Sequence, residues 1–155
     1  MSLFTKIGFL STLTVFSLAA AQTTPIDHRF GVQAAIGPFL LSGGGSVALA
    51  QFGEDRVELQ ALGNALLIPT LSLSRGVEAD LLFSHPLSAR WKLYGGPGLF
   101  TSSSGGGSST NIGIGALVGV RSGPGLGFFA EAGPVKFFGG SGIAPLVRIG
   151  VNYSF

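Results

Sequence analysis

The stretch that decides the fold is the last nine residues, Val147-Arg148-Ile149-Gly150-Val151-Asn152-Tyr153-Ser154-Phe155. Every odd-numbered residue in it is apolar or aromatic, and every even-numbered residue is small or polar. Because successive side chains of a strand point to opposite faces, this alternation predicts a strand with one apolar and one polar face. In water, a strand ending in exposed Tyr153 and Phe155 would invite aggregation, so we expect its apolar face to contact lipid.

The same segment resembles the C-terminal signature of bacterial outer-membrane β-barrel proteins. In that family the last strand ends in Phe, carries an aromatic residue two positions earlier, and is recognised by the barrel-assembly machinery. The resemblance implies that Gly150, Val151, Tyr153 and Phe155 form an assembly signature, used during biogenesis by that machinery and by periplasmic chaperones. A soluble β-sandwich that happens to end in an alternating strand is the alternative.

The N-terminal residues have the pattern of a secretory signal peptide. Lys6 gives a positive start, residues 7–18 are mainly apolar, and Ala19, Ala20 and Ala21 supply small residues for a peptidase. A membrane anchor needs roughly 20 apolar residues, and this stretch is shorter. We therefore expect residues 1–21 to be removed and residues 22–155 to form one exported domain.

The composition favours a membrane protein without spanning helices. Only 10% of the residues are charged, against roughly 25% in soluble domains, and 26 are Gly. The mean hydropathy is +0.54, yet no apolar run after the signal peptide is long enough for a spanning helix. Without Lys6, the nine basic residues become eight, against seven acidic residues. This near-neutral balance gives no argument for a nucleic-acid partner, and the absence of Cys excludes disulfides.

Alternation divides the exported chain into nine strand-like segments, which begin at Phe30, Ser46, Val57, Ala65, Val77, Ala89, Ile112, Phe128 and Ile143. Between them, the glycine-rich or polar stretches predict turns or loops at 42–45, 63–64, 85–88, 101–110 and 122–127. Single-chain bacterial outer-membrane barrels have even strand numbers, so one segment must be miscounted, and the poor alternation places it between Gly31 and Ser74. About 134 exported residues leave roughly 17 for each of eight strands and its connection. The predicted fold is all-β, a transmembrane antiparallel up-and-down barrel of eight strands, with ten as the alternative.

The polar faces predict a charged lumen. In the register that points apolar residues to lipid, Gln33, Gln60 and ten charged residues point inward: Arg29, Arg56, Glu58, Glu78, Asp80, Arg90, Lys92, Arg121, Glu131 and Arg148. An eight-stranded barrel is only wide enough for its own side chains, and a buried unpaired charge is costly. We therefore expect ion pairs to plug the lumen. A narrow channel lined by Arg90, Lys92, Arg121 and Arg148 is the alternative.

Aromatic residues are expected at the membrane interface. Trp91, Tyr153 and Phe155 are the predicted interface aromatics, and Tyr94 is a further candidate. They are interpreted as interface residues rather than as platforms for stacking a ligand.

The sequence predicts no catalytic, cofactor or metal site. His28 and His85 are the two histidines, and although Ser84 and Ser88 flank His85, no acidic residue follows at a spacing typical of a catalytic triad. Two separate histidines without Cys do not form a zinc ligand set. Gly113-Ile114-Gly115 fails the spacing of a dinucleotide-binding loop after its second glycine.

In size, signal peptide, alternation and last strand, the chain resembles the eight-stranded OmpA- and OmpX-like family. The resemblance implies an outer-membrane location, outer-membrane lipid as the main partner, and a structural or surface-interaction role in the cell envelope without catalysis. We expect a monomer. A narrow channel for small solutes and a secreted soluble β-sandwich that binds a ligand are the alternative functions.

Overall fold

The computed structural model describes residues 30–38, 40–66, 74–104, 110–139 and 142–155. Those residues form eight strands: β1 Phe30–Gly37, β2 Leu40–Phe52, β3 Asp55–Leu66, β4 Ser74–Pro86, β5 Trp91–Ser104, β6 Thr110–Ser122, β7 Gly125–Phe137 and β8 Ile143–Ser154. Each strand pairs with the next, β8 pairs with β1, and all pairs are antiparallel. The predicted eight-stranded up-and-down barrel is confirmed, and both the ten-stranded barrel and the open sandwich are wrong.

Closure of the sheet gives the last strand its missing partner. Gly31 of β1 lies opposite Ser154 of β8, and Ile36 lies opposite Ile149. Beyond the ladder, the N–H of Phe30 donates to the Phe155 carbonyl at 3.2 Å, and the N–H of Phe155 donates to the Phe30 carbonyl at 2.9 Å. A closed sheet has no free edge, so the alternating last strand is protected from pairing with other chains.

The miscounted segment lies where the alternation was poorest. The predicted turns at 42–45 and 63–64 are wrong, since both stretches lie inside strands, β2 and β3 respectively. A Cβ at Gly44 would collide with the Ala61 carbonyl oxygen, so glycine here permits a close approach of β2 to β3. The predicted strand over 65–74 is wrong at its two ends, because β3 continues to Leu66 and Ser74 begins β4. Residues 67–73 lie outside the described residues.

Other strand boundaries differ from those predicted. The expected loop over 101–110 is shorter, because β5 extends to Ser104, β6 starts at Thr110, and only 105–109 lie outside the described residues. The Ser74 hydroxyl contacts the Ser102 hydroxyl at 3.3 Å and donates to the Ser103 carbonyl at 3.0 Å. Small hydroxyl side chains thus continue the strand pair where composition alone indicated a loop. His85 and Pro86 belong to β4, and the turn covers 87–90.

The two ends of the barrel differ, and we name them by their connections. The turn end carries Phe30, Phe155 and the connections 53–54, 87–90 and 123–124. The loop end carries the connections 38–39, 67–73, 105–109 and 138–142.

The outer surface is apolar along the whole sheet. Exposed large apolar side chains come from every strand, among them Val32, Leu41, Leu59, Val77, Leu99, Ile114, Phe128 and Ile149. Soluble monomers rarely expose a continuous apolar surface of this extent. The described residues contain no helix long and apolar enough to cross a membrane.

Candidate functional site: the polar lumen

A buried ion-pair cluster occupies the middle of the lumen. We call Arg148, Glu78, Glu131 and Asp80 the mid-lumen cluster; each is at most 4% exposed. The guanidinium of Arg148 reaches from β8 to β4 on the opposite wall, where Nη1 donates to Glu78 Oε2 at 2.8 Å and Nη2 to Glu78 Oε1 at 2.6 Å. Its Nε donates to Glu131 Oε1 on the neighbouring strand. This forked geometry is the strong form of an Arg–carboxylate pair.

Neutral side chains extend this cluster to other strands. The Tyr94 hydroxyl donates to Glu131 Oε2 at 2.5 Å, and Asn64 Nδ2 donates to Glu78 Oε2 at 2.9 Å. Gln60 Nε2 donates to Asp80 Oδ2 at 3.2 Å. Together these bonds connect β3, β4, β5, β7 and β8 across the lumen. A buried charge is stable only when its remaining donors and acceptors are satisfied, and most are satisfied here.

A second charged group lies near the turn end. We call Arg56, Glu58, Lys92 and Arg121 the mouth cluster. Arg121 Nη2 lies 2.7 Å from Glu58 Oε2, and Arg56 Nη1 lies 3.7 Å from Glu58 Oε1. The Arg121 guanidinium also stacks over the Tyr94 ring, 5.0 Å from its centroid. All four side chains line one small cavity of about 40 Å³.

Apolar side chains fill the lumen between and around the two clusters. Leu62 and Leu82 are at most 2% exposed, and Phe100, Leu117 and Phe129 are also buried. The predicted lumen residues were all polar or charged, so these apolar residues were not among them. Their positions in the sequence predict the inward direction, since Leu62 follows Gln60 by two residues, and Leu82 follows Asp80 by two. On a strand, that spacing returns to the same face.

The structure places two residues, Arg90 and Tyr94, differently from their predictions. Arg90 lies in the exposed turn 87–90, so the prediction that it lines the lumen is wrong. The error came from starting a strand at Ala89, whereas β5 begins at Trp91. Tyr94, considered an interface aromatic, is only 3% exposed and lies in the lumen. Arg29 lies outside the described residues, and Gln33 is half-buried in β1.

The predicted interface aromatics lie at the turn end of the outer surface. Trp91 starts β5 and Tyr153 lies near the end of β8, and both are about half exposed. Phe155 stacks against Phe30 and against Tyr153, with centroid distances of 6.3 and 6.1 Å. Of the proposed assembly signature, Val151, Tyr153 and Phe155 point outward and exposed, and Gly150 lies on the inner face next to Phe129.

The fold supplies His85 with an acidic partner that its sequence neighbours did not. His85 Nδ1 lies 2.6 Å from Asp55 Oδ1, on the outer face at the turn end, and both side chains are more than half exposed. A nucleophile is missing from this pair: Ser84 is buried, and Ser88 Oγ accepts from the N–H groups of Arg90 and Trp91. Within the described residues, no three His, Cys, Asp or Glu side chains are grouped as metal ligands.

A second cavity opens on the loop-end side of the mid-lumen cluster. It measures about 140 Å³ and is lined mainly by apolar residues, with Asn64 and Glu78 among the polar ones. No described residue lines both this cavity and the cavity at the mouth cluster. The mid-lumen cluster lies between these two cavities along the barrel axis.

Comparison with solved structures shows a likeness of fold. The barrel superposes on the backbone structure of the Yersinia pestis outer membrane protein Ail in a phospholipid bilayer nanodisc, with a TM-score of 0.53 and 14% identity, over 81% of this chain and 97% of that chain. The fold is that of a small outer-membrane β-barrel. The predicted resemblance is thus confirmed for the fold. No family model and no curated protein sequence matches the chain.

Proposed function

We propose that this protein is an integral outer-membrane barrel with a structural or surface-interaction role in the cell envelope, and that its lumen neither conducts solutes nor catalyses a reaction. In this proposal, residues 1–21 direct export and are cleaved, and the barrel then inserts as a monomer with the help of the assembly machinery. The observation that carries the proposal is the buried bridge from Arg148 to Glu78 across the lumen.

The outer surface supports the membrane location. Seven of the eight described strands have 12–14 residues, and tilted strands of about 9–11 residues suffice to cross the hydrocarbon layer. Most side chains that alternate outward are apolar, and the charged ones on that face, Asp55, Arg75, His85 and Lys136, lie near the strand ends. Exposed Trp91, Tyr153 and Phe155 at one rim match the aromatic belt expected at the interface.

The interior supports a closed lumen. Moving the Arg148 side chain aside would leave Glu78 and Glu131 buried without their cation, at a cost of about 3–5 kcal/mol. Leu82 and Phe129 fill the adjacent level of the lumen on the turn-end side. The separate cavities above and below the bridge are consistent with this plug, and they weigh against the narrow channel.

The connections at the loop end support a structural role over recognition of a charged partner. The four connections contain two to seven residues and include no Lys, Arg, Asp or Glu. Small uncharged connections offer few polar contacts for a specific partner.

A deletion strain distinguishes the structural role from the surface-interaction role. Leakage of a hydrophobic dye into deleted cells, restored by the wild-type gene, supports the structural role; intact permeability with lost surface attachment supports the interaction role.

Location and barrel formation are tested together by cell fractionation and heat-modifiable gel mobility. We expect the protein in the outer-membrane fraction, with a faster band before boiling than after it. The high-speed supernatant, which contains the soluble proteins, is compared with the outer-membrane fraction. Recovery of folded protein there, without detergent, would contradict the membrane assignment.

The closed lumen is tested in planar bilayers. We expect no discrete conductance steps from preparations whose insertion is verified by protease protection and gel mobility. Regular steps that scale with the amount of inserted protein would contradict the closed lumen and favour the channel.

The absence of catalysis is tested separately. His85→Ala is expected to leave the lipid composition of the outer membrane unchanged, and a changed composition would point to chemistry at the Asp55–His85 pair.

A further inference from the structure

The charges of the lumen are segregated along the barrel axis. The mid-lumen cluster contains one cation, Arg148, and three carboxylates, whereas the mouth cluster contains three cations and one carboxylate, Glu58. With every group ionised, the first carries a formal charge of −2 and the second of +2. Among the described residues, carboxylates therefore outnumber cations in the middle of the lumen, and cations outnumber carboxylates at its turn-end mouth.

Two members of the mouth cluster lack enough acceptors within the described part of the chain. Lys92 has no carboxylate within salt-bridge distance there, while Arg56 and Arg121 lie close enough to repel its charge. Arg121 forms one ion pair with a described residue, from Nη2 to Glu58 Oε2 at 2.7 Å, and this contact uses only part of its guanidinium. An ammonium has three donors and a guanidinium five, so several donors remain for a ligand.

The space and its other lining groups fit a small oxyanion. The cavity of about 40 Å³ holds about three water-sized groups, and Ser122, Ser154 and Asn152 line it beside the four charged residues. Oδ1 of Asn152 is buried and has no donor among the described residues. A monohydrogen phosphate offers acceptors to the two cations and one O–H donor to this amide oxygen, which a chloride ion does not.

We propose that the mouth cluster binds a phosphate-class oxyanion from the water at the turn end, held by Lys92 and Arg121. Because the mouth cluster lies on the inner face of the barrel and lipid headgroups surround the outer face, we expect the bound anion to be inorganic phosphate or a soluble phosphomonoester. The guanidinium fork of Arg121 provides paired donors, and Lys92 provides a point charge. The bound anion would neutralise the excess charge at the mouth. The proposal goes beyond the structural role and does not depend on it.

The test uses the full exported chain, refolded in an uncharged detergent that contains no phosphate. Binding of inorganic phosphate is followed by titration calorimetry and by the urea midpoint, with sodium chloride at the same ionic strength as the reference. We expect saturable binding, a higher midpoint in phosphate than in chloride, and at least tenfold weaker binding for Lys92→Gln. Arg90→Gln removes one cation from an exposed turn at the same end and is expected to bind like wild type.

Gel mobility before boiling verifies that each variant is folded, and Arg121→Gln provides a second loss of binding if Lys92→Gln fails to fold. Equal effects of phosphate and chloride on the wild-type barrel would overturn the proposal, as would undiminished binding by a folded Lys92→Gln. The source is tested with a short-chain phosphatidic acid below its micelle concentration. Saturable binding of that lipid without any binding of inorganic phosphate would overturn the assignment to a water-borne anion.

Discussion

The mid-lumen cluster and the mouth cluster both combine basic and acidic side chains, but they differ in how fully the basic side chains are paired. In the middle, Arg148 is enclosed by carboxylates, and each nitrogen of its guanidinium donates to a described side chain. At the mouth, Lys92 forms no ion pair with a described residue, and Arg121 forms one, with Glu58. Exposure differs between the two, because the Arg148 and Glu78 side chains are fully buried, whereas those of Arg56 and Arg121 are 12% and 13% exposed and can also contact water or a dissolved ion.

The largest effect is expected from removing the central cation. Arg148→Met leaves Glu78 and Glu131 buried without their partner, and we expect the free energy of unfolding to fall by about 3–5 kcal/mol. The measurement is urea unfolding of the barrel in detergent micelles, at low and at high sodium chloride. Because the site is shielded from ions, added salt is expected to recover little of the loss.

Arg90→Met is the matched control, since it removes the same charge from an exposed turn. We expect it to change stability by less than about 0.5 kcal/mol. If Arg148→Met were as mild as Arg90→Met, the central bridge would not hold the lumen closed, and the contrast between the two clusters would fail.

The mouth cluster is tested by removing its carboxylate. Glu58→Gln leaves three cations close together, and we expect a loss of about 2 kcal/mol, smaller than at the centre because the Arg56 and Arg121 side chains are partly exposed. In contrast to Arg148→Met, half or more of this loss is expected to return when ionic strength is raised. A salt-independent loss would place the mouth cluster in the same enclosed environment as the centre and would remove the distinction drawn here.

A third test concerns the apolar level that separates the clusters. A Cβ at Gly150 would overlap the Ala34 carbonyl oxygen and lie 2.7 Å from a ring carbon of Phe129. We expect Gly150→Ala to cost about 1–2 kcal/mol through overpacking. Gly63→Ala is the control, because the nearest atom to its Cβ would be the Gly43 carbonyl oxygen at 3.8 Å on the outer face. Equal stability of the two variants would mean that Phe129 can move and that the level between the clusters is loosely packed.

Much of the barrel could be predicted because one periodicity governs every strand. Lipid outside and a crowded lumen inside fix which residues alternate, so the inward direction of Glu58, Glu78, Glu131 and Arg148 follows from their neighbours. The positions of the turns were harder to predict. Glycines at 42–45 suggested a turn, but the structure uses Gly44 for close approach of two strands, and sequence does not distinguish these uses.

The pairing of the charges was beyond the sequence. Alternation says that a side chain points inward, but it does not say which residue lies across the barrel. Glu78 meets Arg148 because β4 and β8 are on opposite walls, and Asp55 meets His85 because the turn ends of β3 and β4 are adjacent. The first contact depends on closure of the whole sheet and the second on the register of β3 with β4, and alternation specifies neither.

The smallest expected effect concerns Tyr94, which belongs to both regions. Its hydroxyl donates to Glu131 in the mid-lumen cluster, and its ring lies under the Arg121 guanidinium of the mouth cluster. Tyr94→Phe keeps the ring and removes the hydroxyl, so we expect a loss of about 1 kcal/mol, insensitive to salt. Tyr153→Phe, on the exposed outer face, is the control and is expected to be near neutral. A salt-dependent loss at Tyr94 would mean that removal of its hydroxyl also disturbs the mouth, and therefore that the two clusters act as one network.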